Sequence, residues 1–163
     1  MTGSTIPPNE NDLHEIIDAV MNAYLHERAV AASPPRDDGR SDDEVWTGVV
    51  TVSGAFSGTV MLSCTRGFAS RAARVLFDET SLSDDDAARD LLAELTTVIG
   101  GNVKSLLSPV SQGPCHLSIP VVSIGSLEFP DAHVLTEVWS QCKADRIHVA
   151  IFQSKSDAAR LSP

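Results

Sequence analysis

The stretch that most constrains the fold runs from residue 81 to 109, "SLSDDDAARDLLAELTTVIGGNVKSLLSP". It reads as one long helix. Ser83 with Asp86 resembles a capping box with Asp in place of the usual Glu, and acids in the first turn suit the helix dipole. Pro109 marks the end. At about 100° per residue, Leu92, Leu95, Ile99, Val103 and Leu106 fall on one side, which is the expected core face. Asp90, Glu94, Thr97, Gly101, Lys104 and Ser108 form a polar stripe opposite. A glycine inside a helix costs about 1 kcal/mol relative to alanine, so the adjacent Gly100 and Gly101 need a reason. Two are open: close packing of a neighbouring element, or a low surface beside Glu94 and Thr97 on which a partner docks. Gly100, to the side of the stripe, fits the first, and Gly101, within it, fits the second. Asn102 is expected to be a satisfied structural amide at the core margin.

The segments around this helix alternate in a second period. "VWTGVVTVSGAFSGTVMLSC" is β-branched and reads as a hairpin, with Gly54 and Gly58 in its loop. "CHLSIPVVSIG" reads as one extended strand, and "HVLTEVWSQCKADRIHVAIFQSK" as a second hairpin turning at Lys143 to Asp145. "NDLHEIIDAVMNAYLHERAV" places Leu13, Ile16, Ile17, Val20 and Tyr24 at helical spacing, with Asn11 or Asp12 able to cap it. "TRGFASRAARVLFDE" is a shorter helix with Ala69, Ala72, Ala73, Leu76 and Phe77 inward. "AASPPRDDGRSDDE" has the composition of a loop. The expected fold is α+β: an antiparallel sheet with the long helices packed on one face. Residues 1–11 are expected to be a tail, 12–155 a single domain and 156–163 a second tail.

Charge and motifs exclude several functions. The net charge is −10, with 22 acidic residues against 12 basic, so neither nucleic acid nor an anionic membrane is an expected partner. The N-terminus carries no signal-peptide pattern, no run is long and apolar enough to span a bilayer, and the expected compartment is the cytoplasm. Cys64, Cys115 and Cys142 lack a C-x-x-C and read as packing residues rather than as a disulfide or zinc framework. The histidines, His14, His26, His116, His133 and His148, form no ligand pair at helical spacing. His116, His148 and Cys115 could meet in space, but they read as ordinary residues. "SGAFSG" lacks the lysine of a phosphate loop, and there is no G-x-S-x-G elbow. Trp46 and Trp139 read as core or dimer anchors.

One spacing carries chemistry. Asp90 is followed after three residues by Glu94, after two more by Thr97, and after twenty-two more by Pro120. With the hairpin "VSGAFSGTVMLS" and "GGN" at 100–102, this resembles the CheX-like chemotaxis phosphatases, relatives of CheC and of the phosphatase domain of FliY. The family's signature is Asp or Ser, Glu, Asn and Pro at these spacings, and the likeness runs from about residue 12 to 153. Three of the four positions match, and Thr97 stands where the family has its catalytic Asn.

The resemblance implies a protein that docks on a phosphorylated CheY-like receiver domain and hydrolyses its aspartyl phosphate. It casts Glu94 and Thr97 as the catalytic pair, Glu94 contacting a receiver lysine and Thr97 in the water-orienting place. It casts Asp90, Glu94, Gly101, Lys104 and Pro120 as the partner-binding surface. No cofactor is expected on this chain, since the receiver holds the Mg²⁺, and a homodimer through sheet edges is implied. A carboxamide offers an acceptor and two donors on a flat two-carbon reach. Threonine offers one hydroxyl on a stiff β-branched carbon, so hydrolysis is expected to be weak. Thr96 projects about 100° away and cannot substitute. A catalytically inactive adaptor of the same fold is the alternative. In a third reading the chain is a structural dimer whose stripe does nothing.

Overall fold

β-Branched sequence and short turns build the two hairpins at the centre of the molecule. The computed structural model describes residues 7–36, 44–77, 84–107 and 113–155. In chain order its elements are α1 (Glu10–Leu25), β1 (Val30–Ala32), β2 (Val45–Gly54), β3 (Gly58–Thr65), α2 (Arg66–Leu76), α3 (Asp84–Leu107), β4 (Cys115–Leu117), β5 (Val121–Ile124), β6 (Ala132–Cys142) and β7 (Asp145–Ser154). Among the described residues the strands form one antiparallel sheet in the order β1-β6-β7-β3-β2-β4, with β5 also paired to β2. The expected α+β architecture is therefore present.

Alternation along the strands selects the core face. Trp46, Val50 and Val52 of β2, Val60, Leu62 and Cys64 of β3, and Ile147, Val149 and Ile151 of β7 are buried in one cluster with Leu13, Ile17 and Met21 of α1. Phe68 and Ala72 of α2, and Leu91, Leu95, Ile99 and Val103 of α3, complete it.

Helix α3 lies directly against β2. A Cβ on Gly48 would run into Thr96 Oγ1, and a Cβ on Gly100 would come within 2.5 Å of Val50 Cγ2. Each element thus gives up a side chain where the other brings one. Gly100 is buried within the core face rather than beside it. Gly101 has more room: an added Cβ would meet only Leu117 Cδ1, at 4.0 Å.

Several local expectations are corrected. Leu106 is exposed and Leu107 buried, because the buried arc turns as the helix changes neighbours. Near its start α3 is bridged to α2 by Arg66–Asp85 and Arg74–Asp84. Further on it faces β2 and β4. The same rotation leaves Asn102 exposed, with its side-chain amide donating to the Val98 carbonyl at 2.9 Å. Asn9, not Asn11 or Asp12, caps α1, in a capping box completed by Asp12. The fold thus starts before residue 12, and the Pro8 carbonyl accepts a bond from Thr136. Ala31 and Ala32, expected in a loop, pair with β6 as part of β1. The single strand expected over 115–125 is two, β4 and β5. Leu76 and Phe77 are half-buried. Gly54 makes the first hairpin turn with φ 118°. Ser83, Ser108 and Pro109 lie outside the described residues, as do 1–6 of the N-terminal tail and the C-terminal tail.

A charge cluster ties the end of α1 to the rest. His26 caps α1 at φ 55°, and the next side chain, Glu27, is buried. Arg71 of α2 bonds Glu27 and also reaches Asp145 Oδ2 at 2.8 Å; Lys143 Nζ stands 3.4 Å from Glu27 Oε1. Burial opposes ionisation of Glu27, but Arg71 and Lys143 outweigh it and hold the carboxyl below its ordinary value. The bond from Arg28, with the Ala29 N–H, does the same for Asp18.

Two stability predictions follow from this packing. Gly100→Ala should lower the melting temperature, since overpacking costs about 1–3 kcal/mol against a helix gain of about 1 kcal/mol. Gly101→Ala should raise it by a few degrees; thermal melts in the reverse order would contradict the packing described. Arg71→Met should cost roughly 3 kcal/mol at neutral pH by leaving buried Glu27 with only the longer contact to Lys143. A carboxylate with a depressed folded pKa contributes stability above its unfolded value, near about 4.3 for Glu, and loses it as pH falls through the folded one. Urea midpoints for Arg71→Met and wild type should therefore converge as the pH drops below about 4.

Candidate functional site

The outward stripe of α3 opens into a cleft of about 630 Å³. Asp90 and Glu94 are exposed on its wall, and Thr97, one turn on, is half-buried. The close contact with β2 decides which threonine faces it. Thr96 Oγ1 is turned inward and donates to the Leu92 carbonyl at 2.6 Å, so it is unavailable to the cleft.

Pro120 reaches the cleft from the opposite side of the sequence gap. β4 and β5 both pair with β2, but Ser118 to Pro120 interrupt them. Ser118 keeps the connection through its side chain as well as its backbone: its Oγ accepts from Thr51 N and its N–H donates to Thr51 O, each at 2.9 Å. Beyond it Ile119 is highly exposed, and Pro120, which has no N–H for the ladder, lies over the helix side. An edge strand tolerates this break where a central one would not.

The ends of two other helices close the cleft. Tyr24, in the last turn of α1, lines it, as do Leu76 and Phe77 at the end of α2 and Ala93 of α3. Tyr24 Oη donates to Glu94 Oε1 at 3.3 Å across 70 residues of sequence. Burial, then the negative charge of Glu94 and the bond to it, push the Tyr24 phenol above its ordinary value. It therefore remains a neutral donor at physiological pH.

The fold thus brings together Asp90, Glu94, Thr97 and Pro120. Gly101 and Lys104 continue the same stripe, both half-buried, but do not line the cleft. Sequence reasoning counted Tyr24 only as a helical apolar position and Leu76 and Phe77 only as inward residues. No local pattern ties them to Glu94. The available signal was that this is the chain's one tyrosine, with a polar tip on an otherwise apolar row.

The remaining candidates are dispersed. The three cysteines are buried, and burial pushes the thiols of Cys64 to about 12 and Cys142 to about 11. His116 lies opposite Ser53 of β2 and His148 opposite Ser63 of β3, with two strands between them. His148 stacks on Trp139, with centroids 4.3 Å apart, and its Nε2 is 2.8 Å from Glu137 Oε2. Trp46 is in the core, its Nε1 donating to Glu44. A second hollow of about 370 Å³ lies at the β2–β3 turn between Ser53, Ser57, Phe129 and Phe152, and contains none of the signature residues. Among the described residues no helix is long and apolar enough to cross a membrane.

Comparison with known proteins gives this arrangement a family context. The family model described as "Chemotaxis phosphatase CheX" matches residues 46–132, more than half of the chain. No curated protein matches it in sequence. Among solved structures, the chemotaxis protein CheX from Vibrio vulnificus is similar with a TM-score of 0.69 at 15% identity, over 88% of this chain and 95% of that one. A putative chemotaxis protein from Desulfovibrio vulgaris Hildenborough gives 0.69 at 13%, over 94% and 99%. A CheX-CheY-BeF3-Mg+2 complex from Borrelia burgdorferi gives 0.62 at 18%, over 88% and 97%. At these identities the structures show a shared fold.

Proposed function

This chain belongs to the CheX chemotaxis phosphatase family, and we propose that its α3 cleft docks on a phosphorylated CheY-like receiver domain and hydrolyses the receiver's aspartyl phosphate. The observation that carries this reading is the convergence of Asp90, Glu94, Thr97 and Pro120 on one open cleft. The Borrelia structure, in which CheX is in complex with CheY, supports the choice of partner.

The chemistry asks little of the phosphatase. Phosphoryl transfer is catalysed by positioning and electrostatics rather than by covalent help. Exposed Glu94 offers its charge to a cationic side chain beside the acyl phosphate, and Asp90 adds a second negative group one turn away. Leu76, Phe77 and Pro120 supply apolar contact around them. Thr97 presents its hydroxyl where an attacking water must be held in line. Its short reach makes it a poorer guide than a carboxamide, so slow turnover is the expected behaviour. Catalysis draws on the receiver's Mg²⁺, with no cofactor resident on this chain.

The protein then acts in the cytoplasm, with the receivers of a chemotaxis or related two-component pathway. Dimerisation would use a sheet edge: β5 closes one, and its Val121 and Ile124 are exposed. The Thr97 substitution favours one second reading, a receiver-binding adaptor without turnover.

Phosphate loss from receivers of the same cell, labelled with acetyl phosphate, tests this directly. Wild type should accelerate the loss modestly and Glu94→Ala should abolish the effect. Thr97→Asn should raise the rate on the order of tenfold to a hundredfold, the scale of a corrected water position. An inert wild type with an active Thr97→Asn would establish the adaptor. If no receiver responds to either protein, the reading fails.

A further inference from the structure

We propose that Tyr24 is a positioning residue for Glu94, holding its carboxylate in the cleft before a partner arrives. This rests on the receiver-phosphatase reading and adds to it a residue from outside the signature. Glu94 is exposed on a helix face, where a free carboxylate samples several rotamers and loses that freedom on docking. The Tyr24 phenol is rigid by comparison, with two side-chain torsions. Its anchorage is firm. Leu25 beside it is buried, the His26 N–H bonds the Asn22 carbonyl at 3.1 Å, and Glu27 is held by Arg71.

The choice of a phenol has a consequence for charge. A lysine or arginine at this place would orient Glu94 but neutralise it. A neutral hydroxyl donates to Oε1 while the carboxylate keeps its charge and its second oxygen for an incoming cation. At 3.3 Å the bond is long for a hydroxyl on a carboxylate. It therefore biases the rotamer without locking it, as catalytic bonds do before the partner closes the site.

Tyr24 is the chain's one tyrosine, so ultraviolet titration of phenolate reads it alone. The midpoint should lie above the ordinary phenol value in wild type and fall in Glu94→Gln. Equal midpoints would overturn the proposal whatever the protein's function. With receivers labelled by acetyl phosphate, Tyr24→Phe keeps the ring and should slow dephosphorylation roughly three- to tenfold. In a Glu94→Ala background, which removes the acceptor, it should cause no further loss of affinity for the phosphorylated receiver, the non-additivity expected of one coupled unit. An equal loss of affinity in both backgrounds would mark Tyr24 as merely structural, and no loss in either would overturn the proposal. Should wild type act on no receiver, it is the phosphatase reading that falls, while the titration still decides whether Tyr24 holds Glu94.

Discussion

The rest of the structure depends on the contact between α3 and β2. Gly48 makes room for Thr96, and Gly100 makes room for Val50. Because core packing tolerates little extra volume, these two absences set both the height of the helix above the sheet and its rotation about its own axis. Rotation is the part that matters for function. It turns Thr96 inward, where its hydroxyl is satisfied by the Leu92 carbonyl. It leaves Asp90, Glu94 and Thr97 facing outward. A helix raised by one methyl would keep its stripe, but not the stripe's relation to Pro120.

Around that fixed helix the cleft is assembled from chain ends rather than from regular surfaces. The last turn of α1 brings Tyr24, the last turn of α2 brings Leu76 and Phe77, and a break in an edge strand brings Pro120. Each piece has its own support. The Glu27–Arg71–Asp145 cluster fastens α1 to α2 and to the β6–β7 turn. Ser118 spans the strand break with paired bonds to Thr51. Loose ends held by specific bonds let a site be concave and open at once, which suits a macromolecular partner better than an enclosed small molecule.

Under the proposed function, Thr97 is the residue that sets this chain apart from the signature it resembles. Asp90, Glu94 and Pro120 line the same cleft, so the proposed partner would meet their charge pattern unchanged. What changes is the reach and hydrogen-bonding capacity of the group at the centre. A β-branched hydroxyl cannot extend as a carboxamide does, nor present two donors. In the proposed reading Thr97 bears on turnover, whereas Asp90 and Pro120 bear on docking and Glu94 on both.

How much of this was legible beforehand follows from the range of the interactions involved. Local periodicity was enough for the long helix, the two hairpins and the α+β class, and the resemblance to the family's signature pointed to Asp90, Glu94, Thr97 and Pro120 as a set. Charge and missing motifs argued against nucleic-acid, phosphate-loop and serine-hydrolase chemistry. The short strand β1 and the split between β4 and β5 were not legible, because three- and four-residue strands have no period of their own and exist only by pairing. The inward or outward fate of Gly100, Asn102 and Leu106 depended on the turning of the buried arc as α3 passes from α2 to the sheet, which an ideal wheel cannot contain. Tyr24 was visible only as an apolar helical position. That its hydroxyl meets Glu94 across 70 residues was decided by the packing of α1 against α3, since sequence spacing records neighbours along a chain and carries no measure of distance through it.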